Sequence, residues 1–403
     1  MIEHRPRAPA GGRRDGGTVT PTDDGDTRVQ PFTLRVPESE IGALRARLAA
    51  VRWPDRESLP EAAGRARWSQ GVPLADLRAL VDRWHDEYDW RAVEHELADA
   101  GQLLLHLGGV HIHCLHHRSR RIDAAPLLLT HGWPGSIVEF LDVLEDLAHP
   151  PDPSLPAFHI IAPSLPGFGF SSKPAEAGWG VERIADTWAE LMTALGYDDF
   201  FAHGGDWGAV VTTVLAARHP ERVAAMHTTF PQVPPGLTRV GLTSAECALI
   251  DATEAFWARR SAYARQQATR PQTLAYALDD SPVGLLAWML DKFAEWSDTD
   301  DSPFESIAAD RILDNVTLHW LGRSGGSSAR IYWESYGRMD PALTVHVPTA
   351  ISLYPREFEQ FPRRWVAERY RNITRWSERP RGGHFPSLEV PRDFVAELRA
   401  AFG

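Results

Sequence analysis

Beyond residue 30 the apolar positions first recur at helical spacing, then from about residue 101 condense into short dense runs. In "VPESEIGALRARLAAVRWPD" Ile41, Leu44, Leu48 and Val51 fall on one helical face, and Pro54 stops the pattern. "PLADLRALVDRWHDEYDWRAVEHEL" repeats it. The runs "QLLLHLGG" and "VHIHCLHHRS" read as strands of a hairpin turning at Gly108-Gly109. Six further runs read as buried strands, most with helical patterns between them: "APLLLTHG", "FHIIAPSLPG", "FFAHGG", "VAAMHTTFP", "TAISLYP" and "ITRWSERP". The prediction is eight strands, mostly parallel, layered under helices. Between the sixth and seventh strands lie more than a hundred mostly helical residues, too many for a loop, so a helical cap is expected after strand 6. The expected order is a tail over 1–30, an N-terminal helical meander over 31–100, a core over 101–234, the cap over 235–345, and the rest of the core over 346–403.

Composition narrows the class. With 43% hydrophobic and 24% charged residues the chain is ordinary globular material. No apolar run reaches the 18 or more residues of a membrane span, so a soluble protein is expected. The first thirty residues lack the apolar stretch of a secretory signal and are rich in Gly, Pro, Arg and Asp, which predicts a disordered tail without a membrane anchor. A formal net charge of −12 argues against a nucleic-acid or anionic-membrane partner. Two distant cysteines, Cys114 and Cys247, exclude a disulfide framework and point to a reduced cytoplasm.

The candidate chemistry begins at "FFAHGGDWGAVVTTVL". A short apolar strand ends at Gly204-Gly205-Asp206-Trp207-Gly208, and Val210, Val211, Val214 and Leu215 continue as a helix. Strand, sharp turn and helix, with small residues two before and two after the centre, is the setting of a nucleophile elbow. Here the centre is Asp206 rather than Ser. A carboxylate held there attacks a carbon bearing a leaving group and becomes an ester whose carbonyl belongs to the protein. "LTHGWPGS" ends another strand. The backbone N–H groups of Trp133 and Trp207 would converge on one oxygen as an oxyanion hole, and Trp133-Pro134 is a candidate cis bond. His384, on the Gly-Gly loop of "PRGGHFPSLEV", comes last in the order nucleophile, acid, His, and would activate water. Its acid partner is sought after the seventh strand, where Glu357 precedes Glu359 and is preferred; the stretch after the sixth strand has no carboxylate.

Two patterns are set aside. "GRSGG", residues 322–326, matches G-x-S-x-G, but a helical pattern leads into Ser324 and no strand does. In "HIHCLHH" His111 and His113 share a strand face with Leu115, while Cys114 and His116 share the other, and no second ligand pair follows at zinc spacing.

These residues together resemble the microsomal-type epoxide hydrolase family over about residues 31–403. The resemblance is carried by "RWHDEYDWRAVEHEL", "HGWPGS", "PSLPGFGFS", "GGDWGA", "TRPQTLAYALDDSPVGLLAWMLDKF" and "RGGHF". It implies an α/β-hydrolase fold with Asp206 as nucleophile, His384 as base and Glu357 as acid. It also implies two cap phenols that bind and protonate the epoxide oxygen, Tyr263 and Tyr332; Tyr336 lies one helical turn from the second. Trp288, Phe168 and Phe385 are expected in the substrate pocket. The implied partners are a small apolar epoxide and water, with no metal or other cofactor, and a homodimer is compatible with the sequence. A haloalkane dehalogenase is the alternative. A halide leaves as an anion and needs N–H donors such as Trp133, Trp207 or Trp288, whereas an alkoxide needs a proton from a phenol. A non-catalytic receptor on the same fold would have no need of Asp206, Glu357 and His384 together.

Overall fold

Residues 28–59 and 62–403 are described by the computed structural model; most of the expected tail, residues 1–27, lies outside them. The described residues form one nine-stranded sheet: β1 (Val29–Pro31), β2 (Gln102–Leu107), β3 (Val110–His117), β4 (Ala125–Thr130), β5 (Phe158–Pro163), β6 (Phe200–Gly204), β7 (Val223–Thr228), β8 (Thr349–Leu353) and β9 (Ile373–Glu378). Their spatial order is β1-β2-β3-β5-β4-β6-β7-β8-β9. From β5 onward the pairs are parallel, and the β1–β2, β2–β3 and β3–β5 pairs are antiparallel.

The eight expected strands are all present. The ninth, β1, corrects the expected tail boundary at Val29 and Gln30. Its three residues pair antiparallel with Leu103 to Leu105. A segment this short, ending in proline, has no strand pattern of its own; the edge of the hairpin makes it one. The second N-terminal helical run also divides, into Leu74–Asp86 and Trp90–Ala100. Asp89 starts the second piece by accepting the Arg91 backbone N–H at 2.9 Å.

Why the central runs are apolar without a break follows from their two buried faces. In β4, Leu128 packs into one core while Leu127 and Leu129 pack into the other; in β5, Ile161 opposes Ile160 and Ala162 in the same way. Helices Val181–Ala194 and Asp206–Arg218 cover the first face, and Leu141–Ala148 and Pro391–Phe402 the second. The cap helices lie between β7 and β8 in sequence, from Ser244 to Ser335. Arg311 joins three parts of the chain: its guanidinium pairs with Glu96 at 2.6 Å, Asp142 at 2.6 Å and Asp314 at 3.0 Å. No helix of the described residues is long and apolar enough to cross a membrane.

Candidate active site

Parallel strand order reverses at β4, which has β5 on one side and β6 on the other. Loops leaving the carboxyl ends of strands at such a point splay apart and leave a crevice. Asp206 stands there, at the end of β6, with φ of 50°, a left-handed conformation that costs a non-glycine residue energy. The turn is possible because its flanks are bare. A Cβ on Gly204 would overlap the Gly208 carbonyl, and one on Gly208 would overlap the Thr130 carbonyl of β4. Asp206 also opens the helix Asp206–Arg218, whose first N–H groups have no intrahelical partners and favour negative charge. The Trp133 backbone N–H donates to Asp206 Oδ1 at 2.8 Å.

Trp133 belongs to the loop after β4, and its bond to Pro134 is cis. A cap helix, Ala309–Leu321, holds this loop: Asn315 Nδ2 donates to the Pro134 carbonyl at 2.8 Å, and His319 Nε2 lies 3.1 Å from the Gly135 carbonyl. Ser324, of the set-aside G-x-S-x-G match, is fully buried; its Oγ lies 2.9 Å from His319 Nδ1 and accepts the Gly169 N–H. Neither Asn315 nor His319 stands out in the sequence, because each acts across about 180 residues of chain.

His384 follows β9. Its Nδ1 lies 2.9 Å from both oxygens of Glu357, and its Nε2 lies 3.3 Å from Asp206 Oδ2. Burial alone would lower the imidazole pKa, but the Glu357 and Asp206 charges outweigh it and raise it to about 10. Glu359 is turned elsewhere. It accepts the Trp257 indole N–H at 2.6 Å, and burial pushes it up to about 7.

Two tyrosines of the cap complete the crevice. Tyr263 stacks on Trp133 at 5.4 Å, Tyr332 meets Trp207 edge-on at 4.9 Å, and the two phenol rings are 5.9 Å apart. Burial and the negative charge of Asp206 both push their pKa values well above the ordinary range, so both phenols keep their protons. Asp206, Trp207, Tyr263 and Tyr332 line one cavity of about 510 Å³, with Phe230, Val233, Trp257, Met339 and Phe358 as apolar wall. Tyr336 lines it too but is 37% exposed, against 3% for Tyr332.

The expected pocket aromatics fare differently. Phe385 packs edge-on to His384 at 5.0 Å and lines a small second cavity beside Asp206. Phe168 is fully buried between the rings of His131 and His319, away from the cavity wall. Trp288 donates to Gln267 Oε1 at 2.9 Å and lines a separate cleft with Arg65 and Lys292. Phe230 and Phe358 went unnamed in the sequence, although both follow strand ends on the crevice side. In "HIHCLHH", His113 is buried and bonded to Gln102 at 2.9 Å. Among the described residues His117, Glu145 and His149 bring potential metal-ligand atoms within 4.8 Å of one another, and none of the three lines the cavities at Asp206.

Comparison with known proteins gives the family and the fold. Residues 29–140 match the model described as epoxide hydrolase N terminus, and residues 125–275 match that of the alpha/beta hydrolase fold. A protein of Stigmatella aurantiaca (strain DW4/3-1) with the provisional name of an epoxide hydrolase is 45% identical, covering 93% of this chain and 84% of its own. Epoxide hydrolase 1 of Oryctolagus cuniculus is 31% identical over 93% of this chain and 88% of its own. The solved structure of Aspergillus niger epoxide hydrolase superposes with a TM-score of 0.81 at 31% identity, covering 92% of this chain and 95% of that one. The chain therefore belongs to the epoxide hydrolase family, and the protein is an epoxide hydrolase built on the alpha/beta hydrolase fold.

Proposed function

We propose that the enzyme converts an apolar epoxide to a vicinal diol in two steps through an ester of Asp206. In the first, an Asp206 oxygen bonds an epoxide carbon and the carbon–oxygen bond of the ring breaks. The leaving oxygen takes a proton from Tyr263 or Tyr332. In the second, water gives a proton to His384 Nε2 as its oxygen bonds the ester carbonyl carbon, and the N–H groups of Trp133 and Trp207 hold the resulting oxyanion. The intermediate collapses, the substrate oxygen leaves with the proton from His384, and the proton left on Asp206 returns to the phenol.

The observation that carries this reading is the placement of His384 between two carboxylates, 2.9 Å from Glu357 and 3.3 Å from Asp206, with Asp206 in turn lining one cavity with two protonated phenols. It also accounts for a base whose resting pKa is about 10. Esterification removes the charge of Asp206, one of the anions that raise it. His384 thus becomes a better base once the ester exists. A cavity of about 510 Å³ with an apolar wall suits a bulky hydrocarbon substituent on the epoxide.

The test is a single turnover of styrene oxide by excess enzyme in ¹⁸O-water. Label should enter the Asp206 carboxyl and be absent from the first diol, because water attacks the ester and not the epoxide. Label in the first diol overturns the reading.

A further inference from the structure

Two glycines of the loop after β4 make room for carboxylates. A Cβ on Gly132 would overlap Asp206 Oδ1, and a Cβ on Gly135 would overlap Glu139 Oε1. The first carboxylate is the nucleophile of the scheme above. The second belongs to a short 3-10 turn, Ile137–Phe140, started by Ser136, whose hydroxyl accepts the Val138 N–H at 3.2 Å. That turn carries Ile137, Val138 and Phe140 into the core, while Glu139 is half-buried with its carboxylate against Gly135. Glu139 lines a cavity of about 20 Å³ with Asp206, His384, Thr229 and Phe385. A space of that size admits one water molecule, and the polar groups around it suffice to hold one. Among the described residues no protein group donates a hydrogen bond to the Glu139 side chain, and the buried Nε2 of His384, 3.3 Å from Asp206 Oδ2, makes no well-aligned hydrogen bond.

We propose that Glu139 is a positioning residue for hydrolysis, holding the water that attacks the Asp206 ester on the side opposite His384. This rests on the two-step scheme. One hydrogen of the water points to His384 Nε2 and is transferred there; the other stays bonded toward the Glu139 carboxyl, so the water oxygen faces the ester carbonyl carbon. Withdrawal from solvent pushes the Glu139 carboxyl up to about 8, with His384 opposing and Asp206 adding to the rise. An uncharged carboxyl retains an acceptor oxygen for this bond without a second buried anion beside Asp206.

Rapid-quench single turnovers of styrene oxide separate the two steps: protein mass reads the ester, chromatography reads the diol. Glu139→Leu should form the ester at the wild-type rate and lose it about 10- to 100-fold more slowly, the scale of a misplaced reactant. Glu139→Gln keeps an acceptor oxygen of the same reach and should hydrolyse close to wild type. Gly135→Ala keeps Glu139 but places a methyl on its carboxylate site, and should reproduce the slow decay. Ester decay at the wild-type rate in Glu139→Leu overturns the proposal; if that variant does not fold, the same result in Gly135→Ala does so. Equal slowing of both steps also overturns it, since that is what general distortion produces. An ester that never appears, even in His384→Gln, overturns the two-step scheme instead.

Discussion

Asp206 and Tyr263 reach the same cavity by different means. Asp206 is placed by local geometry: a buried strand, a turn whose glycines admit neighbouring backbone, and a helix that starts on the residue itself. Tyr263 is placed by packing. Its helix, Ala262–Thr269, points nowhere in particular until Trp133, Trp296 and Tyr332 surround the ring. The core therefore holds the charged groups, with Asp206, Glu357 and His384 on loops at strand ends, and the cap holds the two neutral phenols. In the proposed scheme the acid for ring opening and the base for hydrolysis are thus held by different parts of the chain.

The sharpest way to break this division is to disarm the cap alone. The double variant Tyr263→Phe with Tyr332→Phe should lose nearly all epoxide opening, since removal of one such donor typically costs about 10²–10³ in rate. Ester formation from styrene oxide, followed by protein mass, reads it directly. A chloroalkane needs no proton from these phenols, so any halide release should be unchanged. Normal ring opening in the double variant would show that the cap is only a lid.

Disarming the core gives the converse result. His384→Gln should still open the epoxide but hydrolyse the ester about 10²–10⁴-fold more slowly, the usual worth of a positioned base. The peptide containing Asp206 should accumulate a mass increase of one substrate. If substrate binds and no adduct appears, His384 belongs to ring opening and the division fails.

A smaller loss is expected from Glu357→Gln, which leaves the base but removes the anion that orients it and raises its pKa. Glu359→Gln should be milder still, because Glu359 serves Trp257. The reverse ranking in ester decay would make Glu359 the partner.

The finest distinction is in pH. Hydrolysis needs neutral His384, so ester decay should rise with pH through the pKa of His384 in the ester and level off above it. That pKa lies below the resting value of about 10, because the charge of Asp206 has gone. Removing the second anion in Glu357→Gln lowers it further, so the rising limb should move to lower pH although the plateau falls. Ring opening, which needs protonated phenols, should stay level through pH 10, the ordinary tyrosine range, since both phenols are raised. A limb that stays in place in Glu357→Gln would remove Glu357 as the source of the shift.

What could be read in advance tracks how local the cause is. The strand runs, the elbow at Asp206, the glycine loop before His384 and the cap's place after the sixth strand are short-range patterns. Burial on both faces of the sheet and the bare flanks of a tight turn leave their mark on adjacent residues. Strand β1 was not legible, because "VQP" becomes a strand only against β2. Trp288 and Phe168 were expected in the pocket. Packing turned one into a neighbouring cleft and the other into the core, and no local pattern encodes which way a cap helix faces. The same holds for Asn315 and His319, which hold the Trp133 loop from the cap, and for Glu139, whose polar side chain in an apolar turn reads as surface until Gly135 opens a space for it. Sequence by itself determined eight of the nine strands, the turn and the order of the candidate groups, since backbone sterics and hydrophobic period act over a few residues. Only the tertiary structure decided which side chains share the cavity, because that depends on contacts between segments whose separation along the chain carries no signal.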